Sequence, residues 1–150
     1  MADDEFTVDG LRAAAERGDL ARWVEAFLAS DGSDNAPLAA GLVRANAAWE
    51  GPVRLPLDSL NRLAGPEGAP VLVEVDDDEW DARVDDMADK VRSGWDPPPL
   101  VVTYRDGQLV LEDGNHRVEA LRRAGASAGW AVVGFEDDAA RAEFRSATPP

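Results

Sequence analysis

Apolar residues recur at helical spacing through the first third of the chain. Leu11, Ala14 and Ala15 form one set, and Leu20, Trp23, Val24, Phe27 and Leu28 a second, so two helices are expected. Gly18-Asp19 separates them, with Asp19 placed to cap the second. Asp31-Gly32-Ser33-Asp34-Asn35 has the composition of a loop, and a shorter helix is expected from Pro37 to Trp49. The pattern changes at Gly51-Pro52. Val53 to Leu57 reads as a short extended segment, and Pro56 suits an edge strand better than a central one. After the loop Gly65-Pro66-Glu67-Gly68, Val71 to Val75 is a second strand candidate.

Asp77-Asp78-Glu79 then opens a helix with Trp80, Val84, Met87 and Val91 on one face, its carboxylates suiting the positive end of the helix dipole. Gly94 and Pro97-Pro98-Pro99 stop it. Leu100 to Tyr104 and Gln108 to Leu111 flank Arg105-Asp106-Gly107, a hairpin signal. The second of these strands runs directly into Asp113-Gly114-Asn115-His116-Arg117. A helix carrying Val118, Leu121 and Arg122 follows, with Gly125 just past its end. Trp130 to Phe135 makes a last strand and Asp137 to Phe144 a last helix. The order implies an α/β (α+β) fold: a small mixed sheet with flanking helices, residues 51–150, preceded by a helical extension, residues 1–50.

Composition narrows the chemistry. A chain of 150 residues buries a real core, and 45% hydrophobic with 30% charged residues is ordinary for a globular domain. It has no cysteine, which excludes disulfides, thiolate zinc sites and cysteine nucleophiles. The acidic start Met1 to Glu5 lacks the pattern of a secretory signal and no apolar run is long enough to span a membrane, so a cytoplasmic setting is expected. The net charge is −15 and Lys90 is the only lysine, which opposes binding to a nucleic-acid duplex. The tract from Glu74 to Asp89 holds nine carboxylates and one arginine. It reads as a solvated helix face or a docking face for a basic protein partner, and less readily as a magnesium site.

The turn Asp113 to Arg117 is the richest in chemistry. A strand that breaks at Asp-Gly and enters a helix presents backbone N–H groups at one point, with the helix dipole behind them. Gly114 lets a ligand approach the backbone, Arg117 can fork onto a phosphate, and His116 is the only histidine. Asp113 can orient His116 or act as a base. The same letters also serve an ordinary turn, with Asn115 as the helix cap and Arg117 in solvent.

The stretch from about Val53 to Phe135 resembles the ParB/sulfiredoxin superfamily. The resemblance is carried by the segment Leu55 to Leu60, the helix ending at Gly94 and the strand Pro98 to Val102. The hairpin and Leu111 to Leu121, centred on Asp-Gly-Asn-His-Arg, complete it. It implies a nucleotide-phosphate site at the turn, with Gly114, Asn115, His116 and Arg117 holding the ligand and Asp113 and His116 as catalytic candidates. ATP, ADP or CTP, with Mg2+, are the implied cofactors. Asn115 stands where sulfiredoxins have cysteine, so their reaction is not expected. The partition proteins carry Gly-Glu-Arg-Arg and a following DNA-binding region, whereas about 25 residues follow Gly125 here. Free-serine kinases of the superfamily, with Asp-Gly-His-His-Arg, are similar at the turn, and Glu67 and Glu74 are the candidates for their additional glutamate.

The expected function is therefore nucleotide or phosphate binding, with phosphotransfer or nucleotide hydrolysis as the reaction class. The alternatives are a non-catalytic regulatory or protein-interaction module and a ParB-like nuclease. The tryptophans at 23, 49, 80, 95 and 130 are core candidates, Trp95 being the one best placed to stack on a base.

Overall fold

The computed structural model describes residues 6–29, 36–62, 78–94, 97–105 and 107–147. Two amphipathic helices open the chain, α1 (Val8–Arg17) and α2 (Leu20–Leu28), followed by α3 (Ala36–Ala45). Thr7 caps α1 by accepting from Gly10 N, and Gly18, at φ 71°, ends it. Asp19 stands at the entry of α2 without making the expected side-chain cap. Strand β1 (Ala48–Pro56) comes next, then a 3-10 turn (Leu57–Ser59), β2 (Leu60–Arg62), α4 (Asp78–Arg92), β3 (Leu100–Arg105) and β4 (Gln108–Asp113). The chain closes with α5 (Asn115–Arg123), β5 (Ala128–Phe135) and α6 (Asp138–Ala147). The expected strand Val71 to Val75 and its preceding loop lie outside the described residues.

The strands form one mixed sheet in the order β1-β5-β3-β4-β2. β3 runs parallel to β5 and antiparallel to β4; β1 runs antiparallel to β5. The proline-bearing β1 is an edge strand, as Pro56 requires, since proline donates nothing to a ladder. Side chains alternate across β3 and β5 and so build two cores. On one face Leu55, Leu100, Val102, Leu111, Ala131, Val133 and Phe135 pack against Val118 and Leu121 of α5 and Phe144 of α6. On the other, Trp49, Val101 and Val132 lie beneath Leu11, Ala14, Trp23, Val24, Phe27 and Leu28. α4 packs on α5 rather than on the sheet, through Val84, Ala88 and Ala120. No described helix is long and apolar enough to cross a membrane.

The expected mixed α/β sheet with flanking helices is the architecture found. Three local expectations change. Trp49, expected at a helix end, lies on β1, whose β-branched-poor sequence is drawn into the sheet by pairing with β5. Gly51-Pro52, read as a boundary, is a bulge inside that strand, with the register shifting between Glu50 and Val53. Residue 50 lies within β1, and α1 and α2 share a core with the sheet. Trp23 and Trp49 are buried, but Trp130 is exposed near the end of the sheet, beside Arg54.

Candidate functional site

The turn Asp113–Arg117 sits where β4 leaves the sheet. A bulge prepares it: Val102 pairs with Leu111 but Val101 pairs with Asp113, so β4 gains one residue on β3. A bulge of this kind rotates the strand and re-aims the side chain beyond it. Asp113 is thereby set opposite Val101, whose side chain belongs to the core beneath the N-terminal helices. Gly114 follows at φ 116°, a conformation that disfavours any side chain. A β-carbon there would lie 2.6 Å from Leu100 Cδ2 and 3.1 Å from Arg117 Nη2, so the backbone passes its neighbours where only glycine fits. Gly114 is also the N-cap of α5 and, having no side chain, brings no side-chain cap of its own. Asn115, expected as the cap, is the first helical residue instead.

Arg117 does not extend into solvent. Its Nη2 donates to Asp113 Oδ2 at 2.6 Å, and its Nη1 donates to the carbonyls of Pro99 at 2.9 Å and Pro98 at 3.2 Å. The guanidinium lies 5.1 Å from the centroid of the Phe27 ring on α2. Both side chains of the Asp113–Arg117 pair are only 7% exposed. Burial lowers the pKa of Arg117, opposed by the charge of Asp113 and the hydrogen bond to it. In the structure the Arg117 guanidinium, expected to reach a phosphate, and the Asp113 carboxylate, expected as a base, meet each other. Each group answers the other, because a buried charge without a partner is far costlier than a paired one. The pair ties the last residue of β4 to the first turn of α5 and both to the proline run before β3.

His116 is half-buried at the second position of α5. Glu112, just before Asp113, has its pKa raised by burial, with Arg105 pulling the other way. Sequence reasoning passed over Glu112, Phe27 and the two prolyl carbonyls. Nothing in the local pattern marks Phe27 or the prolyl carbonyls, because they meet Arg117 through tertiary contacts. Glu67, Glu74 and Trp95 lie outside the described residues. Among the described residues no three or more His, Asp or Glu side chains converge as a metal site would require.

The helix entry can therefore receive an anion through backbone donors, since the first turn of a helix has N–H groups that its own ladder does not use. Close by, a cleft of about 200 Å³ is lined by Arg54, Pro97, Pro98, Leu100, Leu121 and Trp130 among others. Pro98 and Leu100 belong to both neighbourhoods: Pro98 accepts from Arg117, and Leu100 contacts Gly114.

No family model matches the chain, and no curated protein matches it by sequence. Among solved structures it is similar to a sulfiredoxin from Arabidopsis thaliana, at 23% identity and a TM-score of 0.46, covering 64% of this chain and 99% of that one. It is also similar to the C-terminally truncated chromosome-partitioning protein ParB from Caulobacter crescentus complexed to the centromeric parS site. There the identity is 21% and the TM-score 0.42, over 61% of this chain. The same ParB complexed with CTP-gamma-S gives 21% identity and a TM-score of 0.39 over 63% of this chain. The matches span 45% and 50% of those two ParB chains.

Proposed function

We propose that the domain binds a nucleotide, or another phosphate ligand, at the entry of α5. The observation that carries the reading is Gly114. A left-handed glycine with no space for a β-carbon joins a sheet strand to a helix and is itself the N-cap residue of that helix. That geometry lets a phosphate approach the backbone at the positive end of the helix. The Asp-Gly-Asn-His-Arg resemblance supports phosphate as the anion.

In this reading Gly114, Asn115 and His116 meet the ligand, while Asp113 and Arg117 hold the turn in shape from beneath. Binding without turnover is favoured, because phosphoryl transfer needs a base beside the reacting hydroxyl. Asp113, the expected base, is held by Arg117. Magnesium would enter with the phosphates of the ligand. Duplex binding is opposed by the net charge of −15.

Calorimetric titration of the whole chain with ATP, ADP and CTP in the presence of magnesium tests the proposal. At least one should bind, and His116→Ala should weaken it tenfold or more. Absence of heat with all three, or an affinity unchanged in His116→Ala together with unchanged backbone amide shifts around Gly114, overturns the site.

A further inference from the structure

The cleft of about 200 Å³ beside the turn is too small for a whole drug-sized ligand and suits a single ring system. Trp130 and Arg54, which line it, sit directly opposite each other across β5 and β1, so both side chains stand on the same face of the sheet. Trp130 is the only large apolar side chain exposed among the described residues, at 38%. Arg54 is exposed as well, and it makes no ion pair or hydrogen bond among the described residues. Half-buried Pro97 and Pro98 and buried Leu100 and Leu121 also line the cleft. An aromatic face with a cation beside it matches a nucleobase, which has a face to stack and a polar edge to hydrogen-bond.

We propose that this cleft takes the base of the nucleotide whose phosphates the α5 entry receives, and that the base is guanine. The inference rests on the phosphate reading of that entry. One side chain joins the two places: a β-carbon at Gly114 would lie 2.6 Å from Leu100 Cδ2, and one at Gly129, in the cleft lining, 3.5 Å from Leu100 Cδ1. The strands meet at the same end of the sheet, where Val101 pairs with Asp113 and Leu100 with Ala131. Trp130 stands on β5 and the α5 entry follows β4, with β3 between them. Ordinary strand spacing puts the two about 10 Å apart. A ribose and a chain of phosphates can bridge that gap, so affinity should grow with the number of phosphates.

The choice of base follows from Arg54. A guanidinium only donates, so it selects an edge with two neighbouring acceptors. Guanine offers O6 and N7 to such a fork, whereas adenine sets an amino donor beside its N7. A two-ring purine also covers more of the Trp130 indole than a pyrimidine does, and stacking strength follows that overlap. Because Arg54 is directly opposite Trp130, a base stacked on the indole brings its edge to the guanidinium.

Titrations of the whole chain with magnesium present test this. GTP should bind at least tenfold more tightly than ATP and than GMP. It should move both the backbone amide resonances around Gly114 and the Trp130 indole N–H resonance, assigned by its loss in Trp130→Phe. Inorganic tripolyphosphate should move the Gly114 amides alone. Arg54→Gln should abolish the preference for GTP over ATP, and Trp130→Ala should lower GTP affinity at least tenfold. Both side chains are exposed, so each variant should keep the circular dichroism spectrum of the parent. The base site is overturned, with the phosphate reading intact, if GTP moves the Gly114 amides but not the Trp130 resonance, if ATP or GMP binds as tightly as GTP, or if either variant binds like the parent. If no nucleotide moves the Gly114 amides, the phosphate reading falls and the base site with it.

Discussion

Removing Asp113 should destabilise the chain far more than removing a surface carboxylate. In Asp113→Ala the guanidinium of Arg117 keeps its two prolyl carbonyls and the Phe27 ring but loses its only described counter-charge, at 2.6 Å. Breaking a buried pair by removing one partner costs about 3–5 kcal/mol. An exposed pair such as Arg92–Asp89 is worth about 0–1 kcal/mol. For a chain of this size about 3–5 kcal/mol corresponds to a fall in Tm of roughly 6–20 °C. Against a typical total of about 5–15 kcal/mol this takes the protein close to unfolding.

Arg117→Met should cost a similar amount, leaving the Asp113 carboxylate and the carbonyls of Pro98 and Pro99 behind. The two losses should not add in the double variant, which removes both charges at once. Urea unfolding of the parent, both single variants and the double variant measures the coupling, expected near the top of the range of about 0.5–3 kcal/mol seen for contacting residues. Single losses below about 1 kcal/mol, the size of an exposed pair, would refute the premise that the pair is desolvated. Additive losses would refute the premise that each residue is there for the other.

Two further outcomes follow from the same turn. Gly114→Ala should destabilise the chain more than Gly125→Ala. Both glycines have positive φ, which costs a side chain about 1–2 kcal/mol, but only Gly114 also meets Leu100; equal losses in thermal unfolding would remove the steric argument. Glu112 has a raised folded-state pKa, so its favourable contribution is complete below the unfolded value of about 4.3 and is lost as pH rises through the folded one. Glu112→Gln should therefore gain stability over the parent at neutral pH and little near pH 3, as measured by urea unfolding at each pH; a pH-independent difference would refute it.

Much of the fold was legible because its signals are local. The helical spacing of Leu20, Trp23, Val24, Phe27 and Leu28 gives α2, the Asp-Gly dipeptide gives the β3–β4 hairpin, and Pro56 marks an edge strand. Gly125 ends α5 in the left-handed conformation its position suggested. Trp49 was misplaced because its strand is made by long-range pairing with β5 rather than by local preference. The turn was found from its letters, and its glycine behaves as read. The pairing of Asp113 with Arg117 was not legible, because it depends on a bulge at Glu112 and on a helix ninety residues away from Arg117 in the chain. A sequence shows that an arginine follows a helix entry; it does not show that Phe27 lies over it.

The buried pair has a consequence for how such turns are inherited. Asp113 and Arg117 neutralise each other, and Gly114 fits where no other residue does, so selection for folding alone would keep all three letters. A descendant that had lost every ligand would still spell Asp-Gly-x-x-Arg. A search keyed to those letters would thus recover the shape of the joint in active and retired copies alike. Divergence of use would be recorded at positions that the fold leaves free to drift, and those are the columns to compare when sorting relatives by activity.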